Sequence, residues 1–286
     1  MTAAGRLYKE LVYGGHLLAF GTASIAATAA LVLGRTPTWN LLVMAYLFSY
    51  GAYMVNRLSD FDQDRVSHLE RTTYLEGRRR SLPGIVVVSF GAGYALALLQ
   101  NLALFAGLLV PLVLAVAYSV GSKRMGSVLG MSRLKEGLFV KNLTVSFGWS
   151  LIPLLVGLYY LQLPIAAIAL CPFIFLRLMA NTIFFDVRDV EADAAYGVRT
   201  IPASLGTDAS RKLMDAVDFS SGLYIALLVL LGILPAFAGL LVVFTPYSFA
   251  YRYISQRSMR HKDSLRDLAA DGEYLLWGFV TYLGQI

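Results

Sequence analysis

Two acidic clusters stand at the ends of long apolar runs, and their spacing could support metal chemistry. The first cluster is Asn56, Asp60 and Asp64, and the second is Asp186, Asp189 and Asp193. Neighbouring members are three or four positions apart, so each trio would share one face if the helix continued through it. Carboxylates stacked one turn apart repel one another, and a shared polyvalent cation removes this repulsion. Because Mg²⁺ is usually bound by carboxylates and substrate phosphates together, the pattern predicts two half-sites for a metal-bridged diphosphate.

Basic side chains accompany both clusters along the chain. Arg71 lies in the polar segment after the first cluster, and Arg199 follows the second cluster. Such cations would stabilise negative charge that develops on a leaving diphosphate. The run Arg78–Arg80 flanks a predicted spanning helix, where arginines usually anchor the orientation of the helix in the membrane.

The helices that must position these residues are predicted to cross a membrane. Of the 286 residues, 57% are hydrophobic and 15% are charged, and the mean hydropathy is +0.63. Few soluble domains have this composition. Apolar stretches of spanning length lie at about 16–34, 38–56, 82–100, 102–120, 138–159, 163–185, 218–234, 236–254 and 271–286. The predicted fold is therefore an all-α membrane protein, with about nine transmembrane helices in a single bundle around a central cavity.

The chain is predicted to form one integral-membrane domain over residues 1–286. Cap segments are expected near 57–83, 121–137 and 186–212. With these boundaries every Lys and Arg except Arg35 and Arg177 falls on one side, which the positive-inside rule assigns to the cytoplasm together with the N-terminus. The net charge of +6 follows from this topology and suits anionic membrane lipids, so no nucleic-acid partner is expected. Cys171 is the only cysteine, which excludes an intrachain disulfide.

A metal-bound diphosphate inside an apolar helical bundle indicates which kind of substrate carries the diphosphate. A leaving diphosphate in a lipid-embedded pocket would come from an allylic prenyl group, because the prenyl tail is itself soluble in the membrane. The carbocation left behind must be kept from water, which an apolar helical bundle does. Aromatic faces can stabilise such a cation. The aromatic residues whose helices could place them in the cavity are Tyr53, Tyr118, Phe147, Tyr159 and Phe185.

Three sequence motifs resemble those of the UbiA superfamily of intramembrane aromatic prenyltransferases. The N-x-x-x-D-x-x-x-D motif of that family is matched by Asn56, Asp60 and Asp64. Its Y-x-x-x-x-K-R element is matched by Tyr118, Lys123 and Arg124. Its D-x-x-x-D-x-x-x-G-x-x-T pattern is matched by Asp189, Asp193, Gly197 and Thr200. The predicted nine helices, with clusters after helices 2 and 6, agree with the family as well.

The resemblance implies an activity and a role for each matching residue. It implies that prenyl diphosphate is bridged by two Mg²⁺ ions held by Asn56, Asp60, Asp64, Asp189 and Asp193, with assistance from Asp186. It also implies that Lys123 and Arg124 contact the phosphates, beside Tyr118. The chain departs from the family where many members have N-D, since Asn56 is followed here by Arg57. It also lacks the basic-proline element after the third aspartate, and Arg71 is the candidate replacement for its arginine.

Several functions remain open at this point. The leading hypothesis is transfer of a prenyl group from an isoprenyl diphosphate to a lipophilic acceptor. A UbiA-type terpene cyclase would need the same carboxylates and no acceptor. A CDP-alcohol phosphotransferase is disfavoured because its D-G-x-x-A-R element is missing. An ion or solute transporter is disfavoured because transport pathways place ionisable groups near the midplane, whereas Arg177 is the only charge predicted to lie deep within a helix.

Overall fold

The computed structural model describes residues 3–120, 139–195, 200–257 and 263–286, and the regular structure in these ranges is entirely helical. The first half comprises α1 (Ala3–Tyr8), a π-helical segment (Lys9–Tyr13), α2 (His16–Val32), α3 (Trp39–Ser59), α4 (Phe61–Ser67), α5 (Leu69–Glu76), α6 (Leu82–Gln100), α7 (Leu102–Gly107) and α8 (Leu109–Ser119). The second half comprises α9 (Val140–Ser150), α10 (Ile152–Tyr159), α11 (Ile165–Ala195), α12 (Ile201–Leu205), α13 (Thr207–Leu230), a 3₁₀ segment (Ala236–Val243), α14 (Phe244–Arg257) and α15 (Asp263–Leu283). The all-α prediction is confirmed.

Five segments are long and apolar enough to cross a membrane. They are Leu82–Gln100, Leu102–Ser119, Val140–Tyr159, Ile165–Val190 and Thr207–Leu230. The segments Gly5–Tyr13 and His16–Val32, which meet at a bend of 62°, would together form a sixth span. Helices also overlap the other predicted stretches, but the count of nine spans stays a prediction.

The two acidic clusters differ in their local helical structure. The helix continues through the whole second cluster, because α11 extends to Ala195. The first cluster is interrupted: α3 ends at Ser59, whose hydroxyl donates to the Asn56 carbonyl at 2.9 Å, a local bond that competes with helix geometry. Asp60 is the junction residue, and α4 begins after it. The Asp64 amide still donates to the Asp60 carbonyl at 2.8 Å. Asp60 and Asp64 are therefore one helical turn apart, as expected, although the helix is interrupted at Asp60.

Small residues bring the helices behind the site close together. Helix α2 packs against α3 and α15 and buries Ala19, Ala26, Ala29 and Ala30, as is common where membrane helices approach closely. One close crossing lies at Gly278 of α15, whose amide donates to the Ser24 hydroxyl at 2.8 Å. A Cβ atom at Gly278 would lie 2.7 Å from that hydroxyl oxygen. A larger residue at this crossing would therefore displace Ser24.

Arg177 belongs to a buried ion cluster, so the prediction that it is the only deep charge was wrong. Its guanidinium donates to Asp218 of α13 and to Glu273 of α15, the latter through Nε at 3.1 Å. Arg252 of α14 also pairs with Asp218, at 2.9 Å. All four side chains are buried, and removing one partner of a buried pair leaves an uncompensated charge. The cluster connects α11, α13, α14 and α15, and none of its members lines the two cavities described below.

Candidate active site

Both acidic clusters line one polar cavity at the end of the bundle where α3 and α11 terminate. The predicted site residues that line it are Asn56, Asp60, Asp64, Arg71, Tyr118, Asp186, Asp189 and Asp193. Helices α3, α4 and α5 form one wall and α11 forms the opposite wall. The predicted phosphate ligands Lys123, Arg124 and Arg199 lie outside the described residues.

Asp64 of the first cluster is held by two arginines. Arg57 Nη1 lies 2.7 Å from Asp64 Oδ2, and Arg71 Nη2 lies 3.1 Å from Asp64 Oδ1. Arg57 also rests on the ring of Tyr53, 4.4 Å from its centroid. Burial alone would raise the pKa of Asp64, but the two guanidinium groups outweigh it and hold the pKa below its usual range. Asp64 is therefore ionised.

Lys141, the second residue of α9, joins two carboxylates of the second cluster. Its Nζ atom lies 2.7 Å from Asp186 Oδ1 and 3.3 Å from Asp193 Oδ2. Asn142, the next residue, donates from Nδ2 to Asp186 Oδ2 at 2.7 Å. Burial raises the pKa of Asp193, and Lys141 offsets this effect only in part. Lys141 thus places one cation between the two carboxylates Asp186 and Asp193.

Asp189 connects the two walls of the cavity. Arg188 donates to both of its oxygens, from Nε at 2.7 Å and from Nη2 at 2.9 Å. From the opposite wall His68, between α4 and α5, places Nε2 3.3 Å from Asp189 Oδ2. Burial lowers the pKa of His68. Arg188 also contacts Asp267 of α15, which brings a third element into the site.

The donor set fits a divalent cation together with an anionic ligand, although the carboxylates are held apart by basic residues. Among the residues that the structure describes, no three acidic, His or Cys side chains are grouped closely enough to hold a metal ion. Mg²⁺ is usually bound by one or two carboxylates and completed by phosphates and water, so such a cage is not required. Two atoms of cavity-lining residues point to a further ligand: the Nε atoms of Arg57 and Arg71 are buried without a hydrogen-bond partner.

The polar cavity opens into an apolar cavity inside the bundle. The residues that line both cavities are Leu18, Tyr53, Asn56, Tyr118, Val145 and Trp149. At this junction the Ser119 hydroxyl approaches Asn56 Oδ1 at 3.5 Å. Below it the walls are almost entirely apolar, with side chains such as Leu41, Leu104 and Val156. The combined shape suits a molecule with a charged head and a long hydrocarbon tail.

The aromatic residues whose helices could place them in the cavity divide into two groups. Tyr53 and Tyr118 line both cavities, and Phe185 lines the polar one. Phe147 lies on the outer surface, with 48% of the residue exposed, so this candidate does not face the cavity. Tyr159 lines neither cavity: it is buried, and its hydroxyl bonds to the Thr38 hydroxyl at 2.5 Å.

Sequence reasoning missed several charged residues that line the polar cavity. They are Arg57, His68, Lys141, Arg188, Asp267 and Asp271. Arg57 and Arg188 could have been identified from the sequence, because each is next to a predicted site residue. Lys141 could not, since a lysine at the start of an apolar helix is typical of a topology anchor.

The family model described as the UbiA prenyltransferase family matches residues 17–271. A digeranylgeranylglyceryl phosphate synthase of Methanothermobacter thermautotrophicus is 30% identical over 209 residues, which are 72% of this chain and 70% of that protein. A UbiA homologue of Archaeoglobus fulgidus, bound to GPP and Mg²⁺, has a similar fold with a TM-score of 0.66 at 15% identity, covering 96% of this chain and 99% of that one. The apo structure of a UbiA homologue of Aeropyrum pernix gives a TM-score of 0.68 at 14% identity, covering 95% and 97%.

Proposed function

The chain belongs to the UbiA prenyltransferase family, and from this premise we propose that it transfers a prenyl group from an isoprenyl diphosphate to a lipophilic acceptor within the membrane. One observation carries the proposal: the two acidic clusters share a polar cavity that continues into an apolar one. A diphosphate and its metal ions would occupy the first cavity, and the prenyl tail would occupy the second.

The acidic residues are proposed to hold Mg²⁺. The ligands would be Asn56, Asp60, Asp64, Asp186, Asp189 and Asp193, with Asp60, Asp64, Asp189 and Asp193 essential for catalysis. Bound Mg²⁺ would neutralise the charge of the leaving diphosphate. The Archaeoglobus fulgidus homologue, which is bound to GPP and Mg²⁺, supports this assignment by analogy of fold. The carboxylates of Asp64, Asp186, Asp189 and Asp193 fit as well, because each already pairs with a neighbouring basic side chain.

The basic residues are proposed to bind the diphosphate. Arg57 and Arg71 both contact Asp64, and the partnerless Nε atom of each is a donor available to a phosphate oxygen. Such charge-assisted bonds are among the stronger ones in proteins. Lys123, Arg124 and Arg199 are proposed as further phosphate ligands on the strength of the sequence alone, and Tyr118 lies at the junction where the diphosphate would meet the tail.

The apolar cavity is proposed to protect the cationic prenyl group during transfer. Its walls expose few polar atoms, so water that could quench the cation is largely excluded. The rings of Tyr53, Tyr118 and Trp149 line the junction, where the bond between the tail and the diphosphate would break. Aromatic faces at that position would stabilise positive charge.

The membrane arrangement predicted from the sequence completes the proposal. We propose nine spanning helices in one domain, with the N-terminus and the polar cavity facing the cytoplasm. The segments near 57–83, 121–137 and 186–212 would cap the cavity. Of these, the first contains α4, α5 and the residue between them, and it brings His68 and Arg71 into the cavity wall.

The name of a relative indicates which class of acceptor to test first. The protein of Methanothermobacter thermautotrophicus is named for the product digeranylgeranylglyceryl phosphate. A prenylated glyceryl phosphate is therefore the acceptor class that we propose for this chain. Membrane lipid extracts serve as the wider search if that class is not used.

Product analysis with and without acceptor tests the proposed reaction. Purified protein is given Mg²⁺ and a prenyl diphosphate, alone or with a prenylated glyceryl phosphate or a membrane lipid extract, and products are identified by mass spectrometry. We expect diphosphate release only with an acceptor, accompanied by a product heavier than the acceptor by one prenyl group. Diphosphate release without acceptor, together with a cyclic hydrocarbon or alcohol, would instead identify a terpene cyclase.

A further inference from the structure

Asp271 is a carboxylate of the polar cavity that neither the proposed metal site nor the proposed phosphate site uses. It lies on α15, whereas the two acidic clusters belong to the segments around α3, α4 and α11. Its side chain lines the cavity together with Arg57, Arg71 and Arg188. Asp267, one helical turn earlier, lines the cavity as well. Helix α15 therefore presents one edge to the site.

Asp271 differs from the other carboxylates of the cavity in its partners. The carboxylates that pair with an arginine or a lysine are Asp64, Asp186, Asp189, Asp193 and Asp267. Asp60 accepts a hydrogen bond from the Ser59 hydroxyl at 3.3 Å. Asp271 has no hydrogen bond and no ion pair within the part of the chain that the structure describes. Because an ion pair favours the charged form of a carboxylate, a carboxylate without one accepts a proton more readily.

The backbone of Asp271 lies against α2 at the level where the two cavities meet. A Cβ atom at Gly21 of α2 would lie 3.7 Å from the Asp271 carbonyl oxygen, so the two helices are in contact there. Within one turn of Gly21, Leu18 lines both cavities and Thr22 lines the apolar one. Asp271 is therefore close to the place where the bond between the prenyl group and the diphosphate would break.

Buried contacts on the other side of α15 fix the direction in which Asp271 points. Two positions further along the helix, and so on the opposite side, Glu273 is buried and accepts from Arg177 Nε at 3.1 Å. The indole of Trp277 also donates to Glu273, at 3.3 Å. Glu273 lines neither cavity. The ion cluster around Arg177 thus holds α15 in the rotation that turns Asp271 toward the site.

Prenyl transfer to an alcohol releases one proton. The bond from the prenyl carbon to the diphosphate oxygen breaks, and its electron pair leaves with the diphosphate. A lone pair of the acceptor hydroxyl forms the new carbon–oxygen bond, and the hydroxyl proton passes to a base. We propose that Asp271 is this base, and that its carboxylate takes the proton from the acceptor hydroxyl as the ether bond forms. The inference rests on the proposed function, because it takes the acceptor to be an alcohol such as a prenylated glyceryl phosphate.

The environment of the other carboxylates makes them weaker bases than Asp271. Those of the two acidic clusters would be bound to Mg²⁺, and a nearby cation disfavours protonation. Asp267 is paired with Arg188 and is disfavoured for the same reason. A positioned general base typically accelerates a reaction by about 100-fold or more, so the loss of Asp271 has a measurable consequence.

A comparison of two acceptors tests the role of Asp271. The first is a prenylated glyceryl phosphate, and the second carries a thiol in place of its hydroxyl. Asp271→Asn should lower turnover of the hydroxyl acceptor by about 100-fold. A thiol loses its proton at a pH of about 8.5, far more readily than an alcohol does, so turnover of the thiol acceptor should be nearly unchanged. Binding of a non-reactive thio analogue of the donor with Mg²⁺, measured by calorimetry, should also be unchanged.

Asp208 provides the control for the loss of one carboxylate. Its side chain is 88% exposed on α13, so Asp208→Asn should leave turnover of both acceptors unchanged. An equal loss with both acceptors in Asp271→Asn would overturn the inference, because a residue that only supports the fold or attracts the prenyl cation would act on both. Unchanged turnover of the hydroxyl acceptor would overturn it as well. If the unaltered protein prenylates neither acceptor, the proposed function itself fails, and the inference fails with it.

Chemical rescue gives an independent test with a second variant. Asp271→Ala removes the carboxylate and leaves a space in the cavity wall. Added formate, a small carboxylate, should restore part of the turnover of the hydroxyl acceptor in this variant and should have no effect on the unaltered protein. A folded Asp271→Ala protein that formate does not rescue would overturn the inference, even if Asp271→Asn failed to fold.

Discussion

Replacing Asp189 with asparagine is expected to lower turnover by about 100-fold or more, the loss expected when metal-mediated charge stabilisation is removed. The substitution keeps the shape of the side chain and removes one charge from a site where several carboxylates are crowded. The same loss is expected for the other members of the catalytic set, Asp60, Asp64 and Asp193. Folding should survive, since asparagine keeps the size and a hydrogen-bonding oxygen of the side chain, even though Arg57, Arg188 or Lys141 then loses one charged partner. Turnover is measured with a saturating donor and acceptor on protein that elutes as a single species.

Asp62 provides the matched control for these substitutions. It lies between Asp60 and Asp64 in the sequence, but its side chain is exposed and does not line the polar cavity. Asp62→Asn should therefore leave turnover within a small factor of the unaltered enzyme. A loss as large as that of Asp189→Asn would mean that general surface charge, rather than the cavity, accounts for the effect.

Removal of Mg²⁺ is expected to abolish turnover. The cavity brings the carboxylates of both clusters to the place proposed for a diphosphate, and these negative charges repel one another without a bridging cation. EDTA should therefore stop prenyl transfer, and Mg²⁺ in excess of EDTA should restore it. Turnover is followed by diphosphate release and by product mass.

Calcium serves as the control for a specific metal role. Ca²⁺ has the same charge as Mg²⁺, but it prefers six to eight ligands at longer distances. We expect it to restore only a small part of the activity at equal concentration. Full turnover in EDTA would show that the basic residues alone stabilise the leaving diphosphate, and the metal assignment would then be wrong.

The position of the site could be predicted from the sequence because each acidic cluster is a short motif at the end of an apolar run, and the motif occurs twice. Asn56 and Asp60 follow one apolar run, and Asp189 and Asp193 follow another. The distribution of basic residues placed the ends of both runs on one side, where a short distance between them was plausible. The structure places both clusters in one cavity. Their roles in catalysis remain the predictions argued above.

The ion pairs within the site could not be predicted, because they depend on which helices face each other. Lys141 is separated from Asp186 by 44 intervening residues, yet its Nζ atom lies 2.7 Å from that carboxylate. His68 reaches Asp189 from the opposite wall. Spacing along the chain reports the face of one helix, and it says nothing about the neighbour that packs on that face. The buried partners of Arg177 were missed for the same reason.

Helix ends were predicted less well than helix positions. The apolar run of the sixth predicted span stops near residue 185, whereas α11 continues through the charged residues to Ala195. The ion pairs of Asp186, Asp189 and Asp193 compensate the charges that made this extension look polar. Likewise α15 begins at Asp263, which brings Asp267 and Asp271 to the cavity. Tertiary contacts at the site therefore set helix boundaries that hydropathy alone did not.

Binding of a non-reactive thio analogue of a prenyl diphosphate most directly tests the claim that both clusters hold one metal-bridged diphosphate. Its dissociation constant is measured with Mg²⁺ and with EDTA for the unaltered protein, Asp64→Asn, Asp189→Asn and the double variant. We expect Mg²⁺-dependent binding that either substitution weakens at least about tenfold, with the double variant little worse than the weaker single one, since residues that act as a unit are not additive. Tight binding in EDTA, or a single variant that binds as the unaltered protein does, would contradict the claim.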